Sequence, residues 1–428
     1  MKRLLTRIAA RTILLALATV GFALTASPAF ARSPAPVDGT PGGTAVDVAS
    51  ATISVTQLFA PGEVDLSTLG VSPTDLLGVG PTASTSTPGG PLTVAPLGST
   101  ACPNAQYHTI QSAVTAAAAG AMIKVCAGTY TEQVTIPAGK DGLTLYSVPD
   151  LQAVIKAPMA MLGKEAIVEV SGAANVAIRH FTITGPGGGP CNSIRYGVFV
   201  GGGGSALITD NHITQIQDTP FSGCQNGLGV AVGRTLGPDG PTTGSATVVH
   251  NLIDSYQKGG VLVDNAGSNE EVAFNSVVGV GATPFIAQNG IQASRDASAD
   301  IHQNTVSNNN YAVPGTDSVG ILLYMEGNGA TTVDHNSTTS NDDGIFLYTN
   351  VKGELISHNT STQNDFTGIT ADSTTSSNTI SYNKASGNML LDCEDDSVGT
   401  GTADTANFWT QDFGQTASPP GICKQTGP

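Results

Sequence analysis

The sequence predicts an all-β chain folded as a right-handed parallel β-helix, a solenoid with a short N-terminal capping helix and a disulfide-fastened C-terminal cap. Two observations carry this prediction. One element recurs through most of the chain with spacings as short as 23 or 24 residues, and six cysteines are spread as three sequential pairs along a chain that begins with an export signal.

The first 31 residues have the order of a secretory signal peptide. Lys2 and Arg3 open a basic start, the apolar stretch from Thr12 to Leu24 follows, and Ala29-Phe30-Ala31 is a small-x-small cleavage signal. The apolar stretch is shorter than the roughly 20 residues that span a bilayer. We therefore expect a secreted, extracellular protein without a membrane anchor, whose mature chain begins near Arg32.

The charge of the chain restricts its partners. The formal net charge is −16, and removal of residues 1–31, which hold four basic and no acidic residues, makes it −20. Such a chain repels nucleic acid and anionic membranes. The expected partner is a polysaccharide or cell-wall glycan. No motif demands a cofactor, although the acidic surface would attract cations, Ca²⁺ included.

The six cysteines favour disulfides, because an exported chain with an even number of cysteines usually pairs them. Six cysteines allow 15 pairings. Their separations favour sequential pairs, each closing about one coil: Cys102 with Cys126, Cys191 with Cys224, and Cys393 with Cys423. Metal ligation is the alternative, but no cysteine or histidine cluster has the spacing of a zinc site.

The composition of the segments outside the repeat predicts a linker and an entry unit. Residues 32–99 are rich in Ser, Thr, Pro and Gly, which predicts a disordered linker. An entry unit and cap is expected over 100–165 within a β-helix domain of 100–428. It includes a helix that starts at the N-cap Thr109, ends before Gly120 and covers the open end of the solenoid.

The repeat occupies residues 166–390 and has two elements. The first is an apolar residue followed three positions later by asparagine, and the second is glycine followed by an apolar residue. The asparagines are Asn211, Asn251, Asn275, Asn304, Asn336, Asn359 and Asn383, spaced by 40, 24, 29, 32, 23 and 24 residues. The glycines are Gly197, Gly260, Gly290, Gly320, Gly344 and Gly368.

This pattern is typical of coils stacked about 4.8 Å apart. Asparagine tolerates a left-handed backbone in a turn and can bond to its neighbours along a column, and glycine is expected at the corner where the next strand begins. The pattern does not fit a leucine-rich repeat, because the regularly spaced leucines of that repeat are absent. It does not fit a propeller either, whose blades are about 40 residues long. The last segment, 391–428, breaks the repeat and is expected to cap the final coil with Trp409.

From Cys102 to Cys423 the chain resembles the secreted bacterial β-helix repeat proteins of the pectate-lyase-like superfamily. The segment Tyr107-His-Thr-Ile-Gln-Ser-Ala-Val and the segment Cys126-Ala-Gly-Thr-Tyr-Thr-Glu-Gln-Val are similar to the first coil of pectin methylesterases. The resemblance implies the fold and a range of polysaccharide chemistries. It transfers no catalytic residue, because the signature motifs of the hydrolases, esterases and epimerases are absent.

Candidate site residues come from the alternation of side chains along each strand. One predicted outward column contains Asp264, Tyr324, Tyr348 and Asp372, which would bind sugar rings and hydroxyl groups. Just beyond it lie the catalytic candidates. Asp296 and Glu326 form the acid–nucleophile pair, and Arg295 would abstract the proton of a lyase reaction, as would Lys258 or Tyr324.

Each candidate can also be interpreted as having a purely structural role. Outward tyrosines and aspartates are often simply exposed to solvent. Three of the repeated asparagines directly follow a histidine (His250, His335 and His358), which indicates that histidine is preferred at this corner of the coil. A Ca²⁺ site at Glu394, Asp395 and Asp396 is a further alternative to the structural cap. The two function classes are therefore a monomeric polysaccharide lyase or hydrolase and a non-catalytic binding, structural or adhesion module.

Overall fold

A computed structural model describes residues 90–235, 237 and 240–424. The predicted signal peptide and most of the predicted linker lie outside these residues. The described chain contains one short α-helix, α1 (Ile110–Ala116), and a 3₁₀ turn at Thr402–Asp404. Within the described residues, no helix is long and apolar enough to cross a membrane.

The strands are numbered in chain order. The first ten are β1 (Leu92–Val94), β2 (Met122–Thr131), β3 (Val134–Pro137), β4 (Thr144–Lys156), β5 (Ala166–Ser171), β6 (Val176–Arg179), β7 (Thr182–Thr184), β8 (Tyr196–Gly201), β9 (Ser205–Thr209) and β10 (His212–Thr214). The next ten are β11 (Leu228–Val232), β12 (Ser245–Val249), β13 (Leu252–Asp254), β14 (Gly259–Asp264), β15 (Asn269–Ala273), β16 (Ser276–Thr283), β17 (Asn289–Ser294), β18 (Ser298–His302), β19 (Thr305–Tyr311) and β20 (Val319–Tyr324). The last eleven are β21 (Thr332–Asp334), β22 (Ser337–Thr339), β23 (Asp343–Tyr348), β24 (Leu355–Ser357), β25 (Thr360–Thr362), β26 (Thr367–Ala371), β27 (Thr379–Ser381), β28 (Lys384–Ser386), β29 (Leu391–Asp395), β30 (Phe408–Thr410) and β31 (Ala417–Ser418).

The strands form three parallel faces that wrap one core. Face A is β3-β5-β8-β11-β14-β17-β20-β23-β26-β29-β31. Face B is β1-β2-β4-β6-β9-β12-β15-β18-β21-β24-β27-β30, and face C is β2-β4-β7-β10-β13-β16-β19-β22-β25-β28, with β2 and β4 running through both. Each coil therefore runs A, B, C and returns to A, so the predicted parallel β-helix is confirmed.

The predicted asparagine column forms a hydrogen-bonded ladder at the turn between faces B and C. In each rung the backbone N–H and the side-chain Nδ2 of one asparagine donate to the Oδ1 of the asparagine one coil further on. Asn275 donates to Asn304 at 3.0 Å from both atoms, and Asn304 does the same to Asn336. These side chains are fully buried, so the ladder satisfies polar groups that water cannot reach.

Two more ladders occupy the other corners. At the C–A turn, Asn309, Asn341, Asn364 and Asn388 repeat the same rung. At the A–B turn, the backbone of Glu354 donates to Asn378, and Asn378 donates to Asn407. All three ladders donate in the direction of the C-terminus.

Each ladder ends on an aspartate. The final acceptors are Asp412 for Asn383, Asp392 for Asn388 and Asp395 for Asn407. A carboxylate only accepts hydrogen bonds, whereas a terminal asparagine would also need an acceptor for its amide group beyond the last rung. The residue type at each ladder end therefore follows from the direction of the ladder.

Two local expectations are corrected. The left-handed residue of the B–C turn is the one before each asparagine, as at Phe274 and Tyr382, with φ of 57° and 58°. The column glycines are needed for close approach: a Cβ on Gly260 or Gly290 would lie 2.6 Å from the carbonyl oxygen of the next coil's glycine. Asparagine is thus selected by its double hydrogen bond, and glycine by the lack of space between coils.

Both ends of the solenoid are closed as predicted. Helix α1 buries Ile110, Ala113 and Val114 in the core, and Thr109 caps it by accepting from the Ser112 N–H. The helix ends four residues before Gly120. At the far end Trp409 is 4% exposed, packs in the core above Ile380 and donates its indole N–H to Asp395 at 2.7 Å.

The cysteines pair sequentially. The disulfides are Cys102–Cys126, Cys191–Cys224 and Cys393–Cys423, which join the segment before α1 to β2, tie two loops beside face A and fasten the C-terminal cap to β29. None of the cysteines in the described part of the chain is free.

The start of the β-helix differs from the predicted boundary at residue 100. Strand β1 begins at Leu92 and pairs in register with β2, Leu92 opposite Ile123. Val94 is fully buried in the core. The reason is that Leu-Thr-Val has the alternation of a strand even though its neighbours have the composition of a linker.

Candidate functional site

The outer surface of face A carries a cluster of aromatic side chains and one arginine. We call Tyr324, Tyr348, Phe346 and Arg295 the tyrosine platform. Tyr324 ends β20 and pairs in register with Tyr348, which ends β23. Their rings stack with centroids 5.8 Å apart, and the Phe346 ring lies 5.2 Å from that of Tyr348. Tyr348 is 45% exposed, so the platform opens to solvent.

Arg295 extends the platform by one coil. Its guanidinium group lies 5.2 Å from the centre of the Tyr324 ring, which is a cation–π geometry. Its Nη1 donates to Oδ1 of Asp264 at 2.8 Å. Because Asp264 is completely buried, the ion pair fixes the arginine side chain against the tyrosine ring.

A chain of polar side chains runs along β17 beside the platform. Asn289 donates to Gln292 at 2.8 Å, Gln292 donates to Ser294 at 3.3 Å, and Ser294 donates to Asp264 at 3.0 Å. Gln292 is partly exposed. This chain places amide and hydroxyl groups next to aromatic rings, which is the combination that binds sugar hydroxyls and sugar ring faces.

The two predicted substrate-binding carboxylates bond to the protein itself. Asp264 is buried and accepts from Ser294, Arg295 and the Thr235 N–H. Asp372 accepts from the Thr349 N–H at 2.8 Å and from both the N–H and the hydroxyl group of Thr374 at 2.7 Å. In the structure Asp264 orients the arginine side chain, and Asp372 stabilises the turns whose N–H groups it accepts.

The predicted pair Asp296 and Glu326 is divided between the surface and the interior of the coil. Asp296 is exposed and accepts from the Gly327 N–H at 2.9 Å. Glu326 is fully buried inside the coil, and neither carboxyl oxygen has a hydrogen-bond partner. Burial, followed by the nearby charges of Glu354 and Asp296, raises the pKa of Glu326 to about 9. Its carboxyl group does not reach the outer surface of face A.

Lys258 lies far from the platform. It precedes β14, whereas the arginine-binding Asp264 ends the same strand, so six residues or roughly 20 Å separate them. Its Nζ donates to the carbonyl oxygen of Ala287 at 2.8 Å, and burial lowers its pKa to about 8. Lys258 therefore belongs to the opposite edge of face A and does not share a site with Arg295.

The histidines before the ladder asparagines form ring stacks along the B–C corner. His335 stacks on His358 at 4.8 Å and His358 on Tyr382 at 5.0 Å, while His250 stacks on Phe274 at 5.1 Å. Because the rings cover each other's faces, the corner offers mainly ring edges to solvent. This geometry agrees with the corner preference expected from the sequence.

The acidic residues of the C-terminal cap bond within the protein. Asp395 accepts from Trp409, Asn407 and Ser397, so the cap carboxylate holds the end of the solenoid. Within residues 90–424, apart from three undescribed positions in one loop, no group of three or more His, Cys, Asp or Glu side chains is placed to hold a metal ion.

Comparison with known proteins agrees with the fold. Residues 241–408 match the family model described as right handed beta helix region. No curated protein matches the chain. The structure of XylC in complex with xylose is 12% identical, with a TM-score of 0.53 over 72% of this chain and 69% of that one.

Two further solved structures are similar at lower scores. The Dettilon tailspike protein is 16% identical over 71% of this chain and 62% of its own, with a TM-score of 0.42. The alginate lyase from Paenibacillus sp. str. FPU-7 is 14% identical over 64% of this chain and 91% of its own, with a TM-score of 0.41. The fold of the chain is therefore that of a right-handed parallel β-helix.

Proposed function

We propose that the protein binds an extracellular polysaccharide along face A, through the tyrosine platform. The observation that carries this proposal is the stacked pair Tyr324–Tyr348, fixed beside Arg295 on a parallel sheet. The exposed ring of Tyr348 offers apolar surface to a sugar ring, and the partly exposed Gln292 offers hydrogen bonds to hydroxyl groups. The xylose in the XylC structure belongs to that protein, and the proposal for this chain rests on the platform itself.

The proposed location is outside the cytoplasm. Residues 1–31 have the signal-peptide pattern, and the described chain holds three disulfides, which persist in oxidising compartments. N-terminal sequencing of the protein recovered from the medium of an expressing culture tests this location. A mature N-terminus near Arg32 is expected, and retention of the intact chain inside the cell would contradict it.

Binding is tested with a panel of soluble polysaccharides, in which neutral xylan and glucan stand beside acidic pectin and alginate, with and without Ca²⁺. Tyr348→Ala is expected to weaken the best ligand about tenfold, the loss of ~1.4 kcal/mol expected of a central aromatic contact. Tyr348→Phe should keep most of the affinity, because it keeps the ring.

The matched control is Tyr382→Ala. Tyr382 is 56% exposed and also stacks on an aromatic neighbour, but it lies on the B–C corner. Its replacement should leave the affinity unchanged. Equal losses for Tyr348→Ala and Tyr382→Ala, or no binding to any polysaccharide, would refute the proposal.

A lyase reaction is the second candidate function. The observation that favours it is the contact of Arg295 with Tyr324. The ionised form of a tyrosine takes the proton from the carbon next to a uronate carboxyl group, the arginine stabilises the negative charge, and the glycosidic C–O bond breaks as the leaving oxygen receives that proton. The test is ultraviolet absorbance from an unsaturated product. That absorbance should vanish in Tyr324→Phe while polysaccharide binding persists, and its absence in the native protein would leave the binding function alone.

A further inference from the structure

The turn 325–331 connects the platform to the interior of the solenoid. It begins directly after Tyr324 and leads to β21. Met325 has a φ of 57°, which is a left-handed conformation that reverses the usual alternation of side chains. Glu326 consequently lies inside the coil, in a region where Ala297 and Val351 of the adjoining turns are also fully buried.

Carboxylates of the two neighbouring coils hold this turn. From one side Asp296 accepts the Gly327 N–H at 2.9 Å. From the other side Glu354 accepts the Gly329 N–H at 2.9 Å and the Thr331 N–H at 2.7 Å. The turn is therefore fixed by acceptors that are themselves acidic.

The surroundings of Glu326 oppose a negative charge on its carboxyl group. The charges that act on it belong to Glu354, Asp296 and Asp264, which are all acidic. Arg295 is bonded to Asp264, and Lys352, whose backbone N–H donates to the Glu326 carbonyl oxygen, is exposed. The Ala297 N–H faces the carboxyl group but lies outside hydrogen-bond geometry.

A buried carboxyl group with no partner and only acidic neighbours is stable in its protonated form. Burial is the largest cause of the raised pKa, followed by Glu354 and Asp296. When the proton leaves, the charge can be solvated only if the turn opens. Opening would withdraw the segment that directly follows Tyr324.

We propose that Glu326 is a proton-dependent latch that keeps the turn 325–331, and with it Tyr324, in place only while its carboxyl group is uncharged. The latch goes beyond the proposed function, because it concerns the placement of Tyr324 and holds for any ligand of the platform. It would make the platform intact at neutral pH and disordered in alkali.

The direction of the pH effect follows from the raised pKa. The folded-state pKa of about 9 lies above the ordinary value of 4.5, which applies when the turn is open, so the stabilisation is complete only below the ordinary value. It decreases as the pH rises and is lost once the pH passes about 9. Each pH unit between these two values shifts the equilibrium between closed and open turn about tenfold towards the open form, and above about pH 9 the equilibrium no longer changes with pH.

Hydrogen exchange of the full-length protein tests the latch. The native protein and Glu326→Gln are compared at about pH 7 and about pH 10, so that base catalysis of exchange affects both equally. In the segment 324–331 the ratio of exchange rates, native protein over Glu326→Gln, should rise about 100-fold from about pH 7 to about pH 10. The reason is that the native turn opens about tenfold more per pH unit up to the pKa of Glu326, whereas glutamine cannot ionise.

The matched control is Glu270→Gln. Glu270 is another fully buried carboxyl group without hydrogen-bond partners, in an earlier coil. This variant should exchange like the native protein over 324–331 at both pH values. Alkaline opening that is equal in the native protein and Glu326→Gln would overturn the latch.

A second measurement does not depend on the folding of a variant. The ¹³C resonance of the Glu326 carboxyl group in the native protein should show no titration in the ordinary range of glutamate and should shift near pH 9. Titration of Glu326 at the ordinary value would refute the latch. It would leave the polysaccharide proposal standing, because that proposal depends on Tyr348→Ala.

Discussion

Replacement of Asn304 by aspartate tests the direction of the first asparagine ladder. Its Oδ1 accepts from the N–H and the Nδ2 of Asn275, and a carboxylate oxygen could do the same. Its Nδ2 has two hydrogens, which are distributed over three acceptors: the carbonyl oxygen of Val272 at 2.7 Å, that of His302 at 3.0 Å and Oδ1 of Asn336 at 3.0 Å. Asn304→Asp puts an acceptor oxygen where this donor stood.

The magnitude follows from the lost donors and the buried charge. Two N–H donors at about 1 kcal/mol each give a loss of ~2 kcal/mol. An uncompensated charge at a position that is 1% exposed raises the expected loss to about 3–5 kcal/mol of unfolding free energy at neutral pH. Protonation in acid removes the charge and restores one donor, so the loss should shrink at lower pH.

Urea denaturation followed by circular dichroism and by fluorescence of Trp409, the single tryptophan of the chain, measures this loss. Coincidence of the two transitions shows whether the solenoid unfolds as one unit. The control Asn308→Asp makes the same chemical change at an exposed position of the same coil and should stay within about 0.5 kcal/mol. A loss below about 0.5 kcal/mol in Asn304→Asp would refute the reasoning.

Three further predictions concern the ladder end, the loops and the interior. Burial raises the pKa of Asp412 to about 6, so its contribution to stability is present in acid and is lost as the pH rises through about 6. When the pH is lowered from about 7 to about 5, the unfolding free energy should rise less in Asp412→Asn than in the native protein, by up to ~1.4 kcal/mol per pH unit. An equal rise in both proteins would contradict the raised pKa of Asp412. Removal of both Cys191 and Cys224 should loosen the loops beside face A and lower the unfolding free energy by about 2–4 kcal/mol. The fluorescence of the distant Trp409 in the folded state should stay unchanged. A change in that emission would show that the C-terminal cap depends on this disulfide. Glu270→Met replaces a buried carboxyl group without partners by an apolar side chain of similar length. Urea denaturation at pH 7 should show an unfolding free energy that is higher by about 1–3 kcal/mol. A decrease would mean that the carboxyl group has a stabilising partner.

The spacing of asparagines was enough to predict the solenoid, because a stacked coil repeats one chemical requirement at one corner. The second ladder was missed, although its signal is present. Asn309, Asn341, Asn364 and Asn388 each follow a first-ladder asparagine by five residues. The aspartate that ends a ladder is harder to recognise, since its meaning depends on the direction in which the amides donate.

The candidate site was predicted in part. Tyr324 and Tyr348 were expected in one outward column, and the structure stacks them, because alternation along a strand and register between strands both hold within face A. Phe346, two residues before Tyr348 on the same strand, is partly exposed and contacts the Tyr348 ring. Nothing in the local sequence distinguishes it from Phe199 of the same column, which is fully buried.

The sequence by itself determined the β-helix, the corner that carries the first ladder, the disulfide partners and the tyrosine column, because each depends on spacing or on alternation within a strand. The tertiary structure decided the side on which Glu326 lies. Alternation stops at the strand end, and the single left-handed residue Met325 turns the next side chain inward. The difference between a catalytic carboxylate and a buried latch therefore depends on one backbone dihedral angle.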